Sequence, residues 1–476
     1  MGKRPDLKKN DIAIFSLSFL YLFCLSLLQY STLQIEWHDS GLILYALATP
    51  DSVGHLWSYE YNLPFLAEHQ SFLLEILSLF FKFIPNLEVW LFFQCLVIAG
   101  GVALINRYID SILNDTVISG IISIAFLLNP YVTHSHLYPH FEILWIPLLS
   151  AFLIFSQKGD RNAAIVFLIL SLSVKEDGWI YGLACCWISF GRTPKKDLLI
   201  YILIILFYSL AVLFIAVPYF FPDRVPHFAS KWGKTQGELF SDMALHPISY
   251  LRLLISGQSK YLLLSVLGLP LLSTWRILPA LGVSLLWMSS VSLDRAFLSF
   301  YFGLPSILLY YFTVPFAVLS LSRISERFGW SPKSLRLVGS GLLVTSVGLL
   351  FFPGDYSSRG PSLPKVLERS QNWKSSYETV KELRRIRTSC DEKIFASFAF
   401  GAYLFCGNDL RLPYRDWESV LSGNWKPDTV VLQADSEEIL PGSSPLKDMQ
   451  KYFDANPDYK RKLNKNNIIL WKRNKL

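Results

Sequence analysis

The sequence predicts an α-helical polytopic membrane protein with a small α/β domain at its carboxy-terminal end, and three observations predict it. Of 476 residues, 52% are hydrophobic and only 17% charged, and the mean hydropathy is +0.35. That is more apolar surface than one soluble core needs. About eleven apolar runs are of a length to cross a bilayer or nearly so. After Phe352 the composition turns abruptly polar.

The amino-terminal MGKRPDLKKN is basic, and the apolar run 11–33 behind it spans a bilayer without a small-residue cleavage site. It reads as a first transmembrane helix with a cytoplasmic amino terminus, not as a cleaved leader. The later runs are 87–108, 115–132, 141–157, 162–176, 178–190, 197–217, 250–272, 277–293, 299–322 and 334–352. Alternate connections then carry Arg107, Lys158 with Arg161, Arg192 with Lys195 and Lys196, Arg276, and Arg323, Arg327, Lys333 and Arg336. Positive-inside placement puts all of these in the cytoplasm and accounts for the net charge of +7 without a nucleic-acid partner.

The outer loop 34–86 has the opposite character. Gln34–Phe81 holds no Lys or Arg but carries Glu36, Asp39, Asp51, Glu60, Glu68 and Glu75. Its stretch Gln70–Ile84 is apolar, but counting it as a span would move every later basic cluster outside. It reads as a membrane-hugging or re-entrant helix.

The stretch LSLSVKEDGWIYG sets Lys175, Glu176 and Asp177 between two apolar runs. One continuous helix over 163–190 would bury all three at mid-bilayer, at about 2.5–3.5 kcal/mol each. Two short crossings avoid that and set the triplet at the outer face, at the tip of a hairpin, where its residues either serve a site or cap and snorkel at a tight turn. All eight histidines, 38, 55, 69, 134, 136, 140, 227 and 246, fall in expected outer segments.

Pro353-Gly354-Asp355 through Pro361 reads as a linker between the transmembrane domain, 1–352, and the soluble domain, 353–476. The latter predicts a helix near Trp373–Arg387, strands at Lys393–Phe398, Thr429–Gln433 and Asn467–Trp471, and a helix near Pro445–Phe453. The parity of the crossings places this domain outside. Cys24, Cys95, Cys185 and Cys186 fall in spans as small apolar residues, whereas Cys390 and Cys406 are available for a disulfide in an oxidising compartment. No P-loop, GxGxxG, GxSxG or CxxC is present.

Four outer elements carry the candidate chemistry: EWHDSG with Glu36, His38 and Asp39, LAEHQS with Glu68 and His69, LYPHFEILWIP with His140 and Glu142, and VKED with Lys175, Glu176 and Asp177. Carboxylates and imidazoles at a lipid–water boundary suit general-base work on a hydroxyl, and Lys or Arg suits a phosphate. Such equipment fits transfer of a sugar from a lipid phosphate to an acceptor hydroxyl. His69, His140 and Glu142 can alternatively hold a divalent metal, although their spacing follows no metal motif.

The pieces also resemble, over nearly the whole chain, a bacterial polytopic membrane family of unknown function, DUF2079, grouped with the GT-C glycosyltransferases. They are Asp39-Ser40-Gly41 with Ala46-Leu47 downstream, Glu68-His69 before an apolar helix, His140 with Pro147 seven residues on, Lys175-Glu176-Asp177, His246-Pro247 before a long apolar run, and the α/β tail. The resemblance implies a GT-C-like fold, a polyprenyl-phosphate sugar donor and a catalytic aspartate in the first outer loop, matched by Asp39. The chain departs from the pattern at Leu44 and Glu68 and at Phe300-Tyr301, where the family has an acid, an Asp and His-Tyr.

The expected protein is thus a glycosyltransferase of the bacterial inner membrane, acting on a glycan, lipid or protein acceptor outside the cytoplasm. Asp39, Glu68 and His69 are the candidate catalytic residues, and His140 and Glu142 shape the acceptor or metal site. Lys175, Arg224 and Arg295 hold donor phosphate, and Glu176 and Asp177 orient Lys175 or cap the hairpin. The rival classes are a transporter or lipid flippase, which would need mid-span polar residues in matching halves, and a non-catalytic scaffold.

Overall fold

The computed structural model describes residues 9–35, 37–49, 56–138, 140–222, 241–242, 244–255, 257–290, 298, 302–328, 333–351, 362–387, 390–434 and 446–474. Two compact units divide the chain. The first comprises Met1–Phe23, Pro64–Leu74 and Phe93–Lys365, and the second Cys24–Leu63, Glu75–Phe92 and Val366–Leu476. The division is discontinuous: residues 34–63 and 75–86 fall in the same unit as 366–476.

Among the described residues six helices are long and apolar enough to cross a membrane: Lys9–Ser31, Leu87–Leu113, Phe141–Lys158, Lys195–Phe220, Leu269–Met288 and Leu304–Arg327. A seventh candidate is the pair Thr116–Leu127 and Pro130–Leu137, bent by 49°. The exterior suits lipid: Leu17 and Leu20 on the first helix and Leu203 and Phe207 on Lys195–Tyr208 are each more than half exposed.

Local sequence explains the boundaries. Helix Trp145–Lys158 ends at Gly159, whose φ of 73° is the left-handed C-cap, and Asp160 caps the next helix by accepting from Ala163 N. Asp115 caps Thr116–Leu127 in the same way, and Asn129 with Pro130 restarts the chain as Pro130–Leu137 after the bend. The expected outer histidines His134 and His136 lie inside that second helix and are buried, with His136 Nε2 3.0 Å from Leu22 O.

The expected crossings 162–176 and 178–190 are helices Arg161–Leu172 and Gly178–Ile188, with Ser173–Asp177 as the turn between them. At 12 and 11 residues they reach about 16–18 Å, short of a hydrocarbon core of about 30 Å. The expected run 250–272 is two short helices, Pro247–Leu254 and Gly257–Leu264, followed by a turn at Leu267 and Gly268 with positive φ. Residues Gly257-Gln258-Ser259-Lys260 break the apolar run there. Phe72–Phe81 is a ten-residue helix with Ile76, Leu79 and Phe80 exposed, too short to cross.

The second unit holds a five-stranded sheet in the order Leu410–Arg411, Ile394–Ala396, Thr429–Gln433, Ile468–Arg473, Tyr459–Lys465. The first three strands are parallel, and the last two add antiparallel. Helices Phe398–Leu404 and Pro413–Leu421 make the parallel crossovers. Strand Tyr459–Lys465 turns into Ile468–Arg473 through Asn466 and Asn467, whose φ values of 53° and 60° are those of a tight two-residue hairpin turn. Phe395, Trp417, Phe453 and Trp471 pack the core beneath the sheet. Cys390 and Cys406, sixteen residues apart, are joined in a disulfide.

Candidate functional site

The site lies in the first unit, where three connections meet: the Glu68–Gln70 segment, the turn His140–Leu144, and the hairpin turn Ser173–Asp177. Gly178 brings the hairpin tight, since a Cβ there would stand 2.8 Å from Ser171 O. Leu73 N donates to Ser173 O at 2.9 Å, tying the Pro64–Leu74 segment to the same turn.

The three adjacent ionisable residues of the turn point their bonds to three different partners. Lys175 Nζ donates to Glu142 Oε1 at 2.6 Å, and Glu142 Oε2 is paired with His140 Nδ1. Glu176 faces the other way: Oε1 is 3.4 Å from His69 Nδ1, and Oε2 accepts from Gln70 N at 3.3 Å. Asp177 Oδ2 accepts from Tyr181 OH at 2.7 Å, and that hydroxyl in turn accepts from Trp287 Nε1 at 3.2 Å. Lys175 and Glu142 are 5% and 2% exposed, so their charges face each other in a largely desolvated site.

The two imidazoles meet edge to face with ring centroids 6.2 Å apart. Phe141 packs against both, at 5.6 Å from His69 and 4.1 Å from His140, and the Lys175 ammonium lies 5.7 Å from the same ring. Glu68 Oε1 stands 3.9 Å from His69 Nε2. The result is a lysine and two carboxylate–imidazole pairs around one aromatic ring.

The electrostatics separate the two acids of the turn. Burial pushes the Glu176 carboxyl up, but the His69 imidazole and the Lys175 ammonium outweigh it and hold Glu176 below the usual carboxylate range. Burial pushes Asp177 up, against Lys175 and with the neighbouring Glu176. Asp177 Oδ1 is buried without a hydrogen-bond partner among the described residues. Glu176 is therefore the fixed anion of the pair.

Of the residues singled out in sequence, the structure brings together Glu68, His69, His140, Glu142, Lys175, Glu176 and Asp177. Asp39 lies in the second unit, on the π-helical turn Trp37–Gly41, and its side chain and that of His38 lie outside what is described. Arg224, Arg295, His55, His227 and Phe300-Tyr301 also lie outside the described residues. No group of three His, Cys, Asp or Glu among the described residues could hold a metal ion, so the geometry lends no support to a metal at His69, His140 and Glu142. Sequence reasoning missed Gln70, Phe141, Tyr181 and Trp287. Tyr181 had a signal, four residues after Asp177 at the start of a helix, whereas Trp287 is 106 residues away in sequence and had none.

No curated protein matches the chain. Among solved structures, the crystal structure of ArnT from Cupriavidus metallidurans bound to undecaprenyl phosphate is similar with a TM-score of 0.43 and 10% identity, over 95% of this chain and 97% of that one. The family model described as predicted membrane protein, DUF2079, matches residues 30–441, and the chain belongs to that family.

Proposed function

We propose that the chain is an integral-membrane glycosyltransferase that moves a sugar from a polyprenyl-phosphate donor to an acceptor hydroxyl on the extracytoplasmic face of the bacterial inner membrane. The observation that supports it is the buried junction of the first unit, in which His69 is held by the anionic Glu176 and His140 by Glu142. A carboxylate at one ring nitrogen fixes the orientation of an imidazole, an arrangement that suits holding an acceptor hydroxyl in one pose. The donor class follows from the motif resemblance.

In the proposed reaction the acceptor oxygen forms a bond to the anomeric carbon as the carbon–phosphate oxygen bond breaks, and its electron pair leaves with the phosphate. Asp39 accepts the acceptor proton. His69, with Glu68 beside it, and the His140–Glu142 pair orient the acceptor. Lys175 supplies the junction's fixed positive charge, and Arg224 and Arg295 are the further cations for the leaving phosphate. The role of Glu176 is to position His69, and that of Asp177 is to hold the Tyr181 hydroxyl.

The extracytoplasmic setting of the carboxy-terminal domain is part of the proposal. It draws support from the Cys390–Cys406 disulfide, because such bonds persist in oxidising compartments. The test is sugar transfer from a polyprenyl-phosphate donor by the purified protein in nanodiscs. Asp39→Asn should lower the rate by about 10²–10⁴-fold with the fold intact, the range for loss of a general base. Wild-type transfer by that variant would remove Asp39 from the reaction, and no transfer by the wild type with any such donor would remove the reaction itself.

A further inference from the structure

A second polar group in the first unit shares no residue with this junction. Asp11, in the first turn of helix Lys9–Ser31, is 4% exposed although it sits in an apolar surround. Its Oδ1 accepts from Asn106 Nδ2 at 2.8 Å, while Oδ2 is buried and has no hydrogen-bond partner among the described residues. Arg107, the next residue of helix Leu87–Leu113, makes no ion pair with any described residue. Both line one cavity of about 640 Å³ whose other walls are apolar, among them Phe15, Phe93, Leu96 and Val97. Its size falls within the range of small-molecule sites.

We propose that this cavity seats a phospholipid whose headgroup carries a primary ammonium. The phosphate answers the Arg107 guanidinium, the ammonium donates to Asp11 Oδ2, and an acyl chain lies along the apolar wall. Charge decides among lipids. An anionic headgroup would satisfy Arg107 but set like charge against the Asp11 carboxylate. A trimethylated ammonium has no N–H to give to Oδ2. Only a zwitterion with a donor at its cationic end meets both groups, and a buried carboxylate left without such a donor is costly. The sugar donor of the proposed reaction carries no ammonium, so this is a separate lipid site.

Gly100 provides the blocking variant. It lines the cavity, and a Cβ built there meets nothing within 4 Å, so a larger side chain enters open space instead of displacing neighbours. The experiment exposes the purified full-length protein to equal amounts of phosphatidylethanolamine, phosphatidylcholine and phosphatidylglycerol with identical chains and counts retained lipid by native mass spectrometry. Wild type should retain the ethanolamine lipid about tenfold over the choline lipid, the scale of one charge-assisted hydrogen bond. Asp11→Asn keeps the partner of Asn106 and should erase that preference. Gly100→Leu should lose all three lipids at an unchanged melting temperature. Equal retention of the ethanolamine and choline lipids by wild type, or wild-type retention by Gly100→Leu, overturns the proposal.

Discussion

Two ion pairs, one in each unit, are chemically alike but physically opposite. In the first unit Lys175 and Glu142 have side chains 6% and 3% exposed and share their partners with His140. In the second, Lys451–Asp448 is 80% and 56% exposed on helix Leu446–Ala455. A desolvated pair gives little net stability over an apolar pair of the same shape, yet breaking it strands a charge. An exposed pair is screened and costs almost nothing to lose. A buried pair with so little to offer stability, set where three connections meet, is the part of the molecule on which the proposed function is built.

That contrast breaks most readily at Lys175. Lys175→Met leaves Glu142 buried without its cation and should cost about 3–5 kcal/mol in the unfolding of the bilayer-embedded protein. The paired variant Lys175→Met/Glu142→Gln removes both charges and still offers His140 an acceptor, so it should recover at least half of that loss while abolishing sugar transfer. If the double variant is as unstable as the single one, charge balance is not what the pair supplies.

A covalent link in the second unit gives the next largest effect. Replacing Cys390 and Cys406 with Ser opens a loop closed at a separation of 16 residues and should cost about 3 kcal/mol by the chain-entropy account. Denaturant unfolding of the full chain followed by Trp417 and Trp471 fluorescence would read it, and dithiothreitol should reproduce the loss in wild type but not in the variant.

The two units also differ in how much of them the sequence made visible. Apolar length alone marked the long helices, while the glycine and aspartate at 159 and 160, a helix end and a start, were local signals left unused. Lys175 was singled out because ionisable residues between apolar runs are costly at mid-bilayer, and His69 and His140 because they fall in expected outer segments. Their pairing was not: His69 and Glu176 are 107 residues apart, and no periodicity encodes that contact. In the α/β domain the buried strands Ile394–Ala396 and Thr429–Gln433 showed as apolar runs, but Tyr459–Lys465 did not. Its sequence YKRKLNK is that of a Lys-rich strand at a sheet edge, where charge discourages pairing with another chain and hides the usual alternation. The Asn466-Asn467 turn was the signal that would have found it.

Glu176 sharpens the comparison through pH. Its carboxyl is held below the ordinary value of 4.5 in the folded protein, so its contribution is fully present above that value and is lost as pH falls through the folded value. Wild type should therefore lose stability on acidification below about pH 4.5, the unfolded carboxyl value. Glu176→Gln, about 1–3 kcal/mol less stable at neutral pH from the lost charged hydrogen bond, should show a flatter acid limb. Parallel acid limbs for the two proteins would mean that His69 and Lys175 do not fix the charge of Glu176.

The smallest effect belongs to the exposed pair and is the control on the whole comparison. Lys451 and Asp448 are three residues apart on one helix face, and their contact of 3.3 Å is formed in full view of solvent. Water screens the attraction, and two long side chains lose rotamer freedom to make it, so Lys451→Ala should change stability by no more than about 0.5 kcal/mol and become undetectable in 1 M salt. Alanine is also the better helix former at an exposed site, which offsets part of even that small loss. A loss of several kcal/mol at Lys451, equal to that at Lys175, would show that burial does not set the worth of these pairs, and the functional argument from the buried junction would lose its premise.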